Sequence, residues 1–290
     1  MKLFDPHIHM TSRPTSDYQA MADAGISAIV EPSFWLGQPR THVGTFEDYF
    51  LSLPGWERFR ASQFGISHFC TLSINPKEAN SPSIAQGVLD LLPRYLEKDG
   101  VVAVGEIGFD DQTDAEEHLF AEPLKLAMEF ELPVLIHTPH RDKKRGTARS
   151  LELVRRVGFP EQRVLIDHNN EETLPMVLET NCWAGHSIYP DTKMDELRMV
   201  ALIQTYGSDR IIINSAADWG VSDPFKVPKT VEAMYEAGLD EKTIQTVVWD
   251  NPVAFFGQSE RLDLDRDPID QSQLWEGNSV LRGQEPVVES

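Results

Sequence analysis

Eight short runs rich in Val and Ile recur along this chain, and segments with helical patterning separate most of them. The runs are 2–9, 26–34, 66–74, 101–108, 133–138, 163–168, 182–188 and 210–216. They lack strict apolar–polar alternation, as strands buried on both faces do. Helix-like segments lie at 15–24, 82–97, 115–131, 146–158, 171–180 and 193–206, and 226–237 and 240–256 close the last unit. Segment 115–131 is representative: Leu119, Phe120, Leu124, Leu126, Ala127 and Phe130 form an approximate helical stripe. Eight strand–helix alternations predict an α/β fold, a single (β/α)8 TIM barrel over 1–257, rather than an open sheet. With 290 residues, 41% of them hydrophobic, the chain can fill such a core.

Two stretches break the rhythm. Residues 35–62 form a long insertion after strand two, carrying Trp35, Phe46, Tyr49, Phe50, Trp56 and Phe59. In a barrel it falls on the catalytic face, so it reads either as a lid or substrate wall or as a local packing insertion. Residues 258–290 read as a polar, acidic C-terminal tail, with Leu274, Trp275, Val280 and Leu281 as its apolar cluster.

Residues able to bind a metal sit at the C-terminal ends of the expected strands. Residues 3–9 read Leu-Phe-Asp-Pro-His-Ile-His. In an extended strand His7 and His9 share a face, about 7 Å apart. Two imidazoles so placed can converge on one ion, and Asp5 on the same face can orient one of them. Strand four ends at Glu106, strand five at His137 and strand six at His168, and strand eight runs into Asp218. Barrel geometry brings these ends to one mouth. Four histidines and two carboxylates there can hold two divalent ions. His7, His9 and Asp218 would form one site, His137 and His168 the other, and the two oxygens of Glu106 would bridge them. Such a pair activates water and polarises the bond being cleaved. The nitrogen-rich donor set suits zinc, with manganese, iron, cobalt or nickel as alternatives; magnesium, which prefers oxygen, fits less well.

These motifs together resemble the TatD-like metal-dependent hydrolases of the amidohydrolase superfamily. They are Asp5-Pro-His7-Ile-His9, Gly105-Glu106-Ile107-Gly108-Phe109-Asp110, Ile136-His137, Asp167-His168 and Asp218, with the closing Asp250-Asn251-Pro252-Val253-Ala254-Phe255-Phe256. The resemblance covers about 1–257 and implies a (β/α)8 barrel with one or two divalent metals, in a family where many members cleave DNA phosphodiesters. It implies His7 and His9 on the first metal, Glu106 as ligand or bridge, and His137 and His168 on the second. Asp218 would ligate the first metal and act as general base. Glu106 stands where some superfamily members carry a carbamylated lysine. Typical members follow the last strand with Glu-Thr-Asp-Ser-Pro, whereas this chain has Asn214-Ser215-Ala216-Ala217-Asp218-Trp219.

Further residues have assigned expectations. His186, near the end of strand seven, is expected at the same mouth as a second catalytic group. Arg141 and Lys143, in the basic loop 140–145, are expected to hold a substrate phosphate or carboxylate. Glu31, Asp110 and Asp111 are expected to be structural, and His42, His68 and His118 to take no part in metal binding. Asp167 is expected on the strand face opposite His168, packed in the barrel wall.

A formal charge of −20, from 46 acidic and 26 basic residues, repels a phosphate backbone and so disfavours nucleic acid as partner. Neither a signal peptide nor a membrane span is legible, and Cys70 and Cys182 lack metal or redox spacing, so a cytoplasmic protein with free thiols is expected. The function expected is hydrolysis of an ester or phosphoester in a small-molecule substrate. The alternatives are a TatD-type deoxyribonuclease, an amide or lactone hydrolase, and a non-catalytic metal-stabilised binding protein. The sequence leaves the oligomeric state open.

Overall fold

The computed structural model describes residues 1–265. Eight parallel strands run in sequence order around one sheet: β1 (Leu3–Asp5), β2 (Ile26–Pro32), β3 (Ser67–Leu72), β4 (Val101–Gly108), β5 (Val134–His137), β6 (Val164–Ile166), β7 (Trp183–Ser187) and β8 (Ile211–Asn214). Helices separate successive strands, as in a (β/α)8 barrel. The ring closes above the strands rather than along them. Ala216 N–H donates to His7 O (2.8 Å) and His9 N–H to Ala217 O (2.8 Å), and Asp5 Oδ1 accepts from Ser215 N–H (3.1 Å).

Two apolar layers follow from strand alternation. Phe4, Ala28, Val30, Phe69, Leu135, Leu165 and Ile212 fill the lumen. Ile29, Cys70, Ile136, Ile166, Ala184, Ile211 and Ile213 face outward into the larger layer beneath the helices. The lumen is stopped at the end away from the strands' C-termini by the helix Asn251–Gly257, whose Phe255 and Phe256 are fully buried beside Phe4 and Trp183. Asn251 fixes that plug, donating through Nδ2 to Ser208 O (2.8 Å) and Ile211 O (2.7 Å) at the start of β8. This gives the Asn-Pro motif a structural task.

Several expected elements shorten or shift. β1 ends at Asp5 instead of reaching His9, because Pro6 has no N–H for the ladder and the His7 N–H turns to Asp5 Oδ1 (3.4 Å). The second half of the basic segment, from Lys143, is helical, since the next helix spans Lys143–Val157. The insertion is mainly helix, Val43–Ser52 continuing through Leu53–Glu57 to Ser62, and buries Phe46, Tyr49 and Phe50 against the helix Pro82–Leu96. Most of it therefore packs outside the barrel; Phe34 and Trp35, at its start, reach the mouth. Leu262 and Leu264 pack against the lumen cluster at the plugged end. The cluster Leu274, Trp275, Val280 and Leu281 lies outside the described residues. Among the described residues no helix is long and apolar enough to cross a membrane.

Candidate metal centre

A cavity of about 250 Å³ opens at the C-terminal ends of the strands. His7, His9, Glu106, His137 and His168 all line it. Glu106 is the hub: its Oε1 lies 3.5 Å from His7 Nε2, 3.4 Å from His168 Nε2 and 3.3 Å from His137 Nδ1. His9 Nε2 is 3.1 Å from His7 Nε2. His7, Glu106 and His168 form the compact group whose ligand atoms all lie within 4.8 Å of one another. The second oxygen of Glu106 is engaged elsewhere, accepting from Asn75 Nδ2 at 3.0 Å. The carboxylate therefore presents one oxygen, not two, to the histidines.

The local backbone explains how these side chains meet. Gly105 precedes Glu106 where a Cβ would stand 2.7 Å from Leu135 O, so only glycine lets β4 pass β5 so closely. His168 has φ of 59°, in the left-handed region that side chains avoid except at such sites. Regular alternation after lumen-facing Leu165 would send Asp167 inward and His168 outward. The reversed φ turns His168 back, so both reach the centre.

Asp167 is accordingly no wall residue. Its Oδ2 lies 2.5 Å from His7 Nδ1, and it accepts from His168 N–H and Asn214 Nδ2. It orients one candidate ligand from behind, as carboxylates do for metal-binding histidines. Ser187 Oγ does the same for His168 Nδ1 (2.6 Å). Asp5 supports the backbone of His7 and Ser215, and burial pushes its carboxyl up to about 6.

The electrostatics favour ligation by His9, His168 and Glu106. Burial, reinforced by His7, pushes His9 down to about 3, and burial together with Lys193 holds His168 well below its ordinary value. Both are the neutral imidazoles that metals bind. Burial alone would raise Glu106, but His7, His137 and His168 outweigh it and keep the carboxyl ionised. His137 Nε2 is buried without a hydrogen-bond partner, and His9 Nε2 faces His7. Such an orphaned nitrogen is costly unless a cation or water takes its lone pair, so the donor set fits a divalent ion held by His7, Glu106 and His168 with His9 and His137 in reach.

Other expected residues stand differently. Asp218 lines the cavity but lies outside the compact group; its Oδ1 accepts from Tyr189 Oη (3.1 Å) and Gly220 N–H (2.8 Å). Ala216, φ 44°, lines the cavity and donates its N–H to His7 O at 2.8 Å. His186 does not face the mouth. Gly185 abuts Asp167 and Ser187 bonds His168, so His186 between them points into the outer layer, fully buried. Arg141 is 89% exposed and pairs with Asp111 at 3.6 Å, away from the cavity. Lys143 spends its ammonium on Thr138 Oγ1 and His168 O (3.0 Å each), tying the ends of β5 and β6 together rather than meeting substrate. Glu31 pairs with His68 at 2.9 Å beneath the helices, as a structural partner.

The sequence reading missed Asn75, Lys77, Tyr189 and Lys193, all cavity-lining. Their signal was position alone, just past the ends of β3 and β7. Phe34 and Trp219 form the rim, with Phe34 stacked on His9 at 3.8 Å and tilted against Trp219 at 4.6 Å.

Comparison with known proteins agrees with this geometry. Residues 4–257 match the family described as TatD related DNase. An uncharacterized metal-dependent hydrolase of Methanocaldococcus jannaschii is 26% identical, over 88% of this chain and 99% of that protein. The crystal structure of a TatD-like protein from Archaeoglobus fulgidus is 29% identical, with a TM-score of 0.74, covering 87% of this chain and 99% of the other. A phosphotriesterase homology protein from Escherichia coli shares the fold at 13% identity, with a TM-score of 0.63 over 88% of this chain and 98% of its own.

Proposed function

This chain belongs to the TatD related DNase family and is a metal-dependent hydrolase of that type; from that premise we propose that it cleaves an ester or phosphoester in a small molecule. One observation carries the reading. Glu106 Oε1, ringed by three histidine nitrogens at 3.3–3.5 Å, lies in a cavity of only about 250 Å³. That volume suits a small substrate. A surface of −20 net charge works against a DNA strand.

A divalent ion held there, zinc by the chemistry of the donors, would acidify a water and polarise the bond under attack. The remaining roles belong to this chain. Asp167 and Ser187 fix the rings of His7 and His168, and Asn75 fixes Glu106. Asp218, steadied through Oδ1 by Tyr189 and Gly220, takes the proton of the attacking water and returns it to the leaving group. Phe34 and Trp219 shield His9 and the cavity edge from solvent.

The test is a panel on metal-loaded protein: a phosphomonoester, a phosphodiester, a carboxylic ester, a lactone, a dipeptide and a single-stranded oligodeoxynucleotide. Turnover of small esters or phosphoesters with an intact oligonucleotide is expected. Cleavage of the oligonucleotide would transfer the reading to the deoxyribonuclease alternative, which the family description favours. Turnover of the lactone or amide alone would move it to acyl chemistry, and silence across the panel would leave a metal-stabilised binding protein.

A further inference from the structure

Two lysines face each other across the mouth, and neither belongs to the candidate metal ligands. Lys77 follows β3 and Lys193 follows β7, four strands apart in a ring of eight, so they approach the cavity from opposite sides. Each is braced against an aromatic face: Lys77 Nζ lies 5.1 Å from the Trp35 ring and Lys193 Nζ 5.1 Å from the Tyr189 ring. Their backbones are fixed as well. Asn75 Oδ1 accepts from Lys77 N–H (3.0 Å) while its Nδ2 holds Glu106, so one side chain sets both the hub and the first lysine. Lys193 N–H donates to Tyr189 O at 2.7 Å, closing a turn that folds the lysine over the ring.

Lysine chains are long and lose side-chain freedom when pinned. Lys77 has Asp110 at 3.3 Å. Lys193 has no carboxylate at ion-pair distance among the described residues, although the chain carries 46 acidic side chains. Burial disfavours the Lys193 ammonium, with Asp167, Glu106 and Asp218 opposing and Lys77 adding to the burial effect. Two cations held over one small cavity gain from an anion placed between them.

We propose that Lys77 and Lys193 form an oxyanion clamp across the mouth, selecting substrates that carry a phosphate or carboxylate group within reach of the metal centre. The proposal rests on the small-substrate reading of the same cavity and deepens it. The clamp also differs from the basic loop 140–145, whose Arg141 and Lys143 are turned to other partners.

The test is calorimetric titration of the metal-loaded full chain with inorganic phosphate and, separately, with malonate. Four variants accompany the wild type: K77M, K193M, K77R and K193R. Saturable binding is expected in the wild type, weakened about tenfold or more in each methionine variant and largely restored by arginine. Lysine-dependent binding of phosphate alone names phosphate as the group, and of malonate alone names carboxylate. Methionine variants that titrate like the wild type would overturn the clamp, since the anion would then bind the metal alone; so would the absence of binding by either anion. Thermal melts identify a misfolded variant, and the other lysine then carries the test. Turnover is not needed for this readout. Lysine-dependent binding with a silent substrate panel would sink the hydrolytic reading and spare the clamp. Ester turnover with a KM indifferent to K193M would do the reverse.

Discussion

At the scale of single residues, the centre depends on side chains that touch no substrate. Asp167 is the best example, fully buried between His7 and Asn214 and held ionised, against the cost of burial, by His168 and His7. Asp167→Asn should cut metal affinity about 10–100-fold while leaving the fold intact, as loss of an orienting carboxylate typically does; metal content after dialysis against a graded chelator reads it. Gly185→Ala should reproduce part of that loss from the other side, because its new methyl would collide with the Asp167 carboxylate. His186 makes the contrasting case. Its ring is fully buried, is pushed down to about 4 by burial, and faces away from the cavity. His186→Phe should therefore leave turnover unchanged; a large fall in kcat would return it to the site. The four histidines and Glu106 could be found from sequence because strand ends in a barrel converge. Asp167 and His186 could not: with His168 taken as inward, alternation turns its neighbour Asp167 outward, and only the reversed φ at His168 lets both reach the centre, while His186 falls on the outward face of its strand.

At the scale of elements, the insertion is the least expected part. Its helices carry a buried polar knot in which Glu57 meets Arg60 (2.9 Å) and Tyr18 (3.3 Å). Arg60 donates onward to Met10 O (2.5 Å) and Arg13 O (3.3 Å), the loop that follows His9. The insertion thus braces a ligand loop from behind instead of covering the mouth. Burial raises the Glu57 carboxyl to about 7, with Glu31 adding to it and Arg60 and Tyr18 opposing. Because the folded pKa lies above the unfolded one, the folded state keeps a proton the unfolded chain has lost. The corresponding stability is fully present below about 4.5 and fades as pH rises through about 7. Glu57→Gln should flatten that slope by about 2–3 kcal/mol between pH 5 and 8, measured by denaturant unfolding at constant metal. Apolar and aromatic residues in 35–62 announced an insertion, but sequence alone could not say whether they faced the mouth or the helix 82–96, because both surfaces reward burial equally.

At the scale of the whole molecule, the barrel has one wet end and one stopped end, and each makes its own demands. The stopper is tested by Phe255→Ala, which should cost about 3–5 kcal/mol of unfolding free energy and lower the melting temperature without altering metal stoichiometry until the protein unfolds. The architecture was readable because eight Val/Ile runs separated by helical segments have few other solutions. The mouth's selectivity was not, because Lys77 and Lys193 look like ordinary surface lysines until the ring sets them face to face.

The seam between β8 and β1 has a consequence of its own. The hoop is fastened by hydrogen bonds to His7 and His9, so the segment offering imidazoles to the ion is also the clasp of the barrel. Fastening the hoop and furnishing the ion's berth are then one event in folding. Anything that grips the ion tightens the whole ring, and a chain clipped after residue 9 would lose its clasp and its metal together.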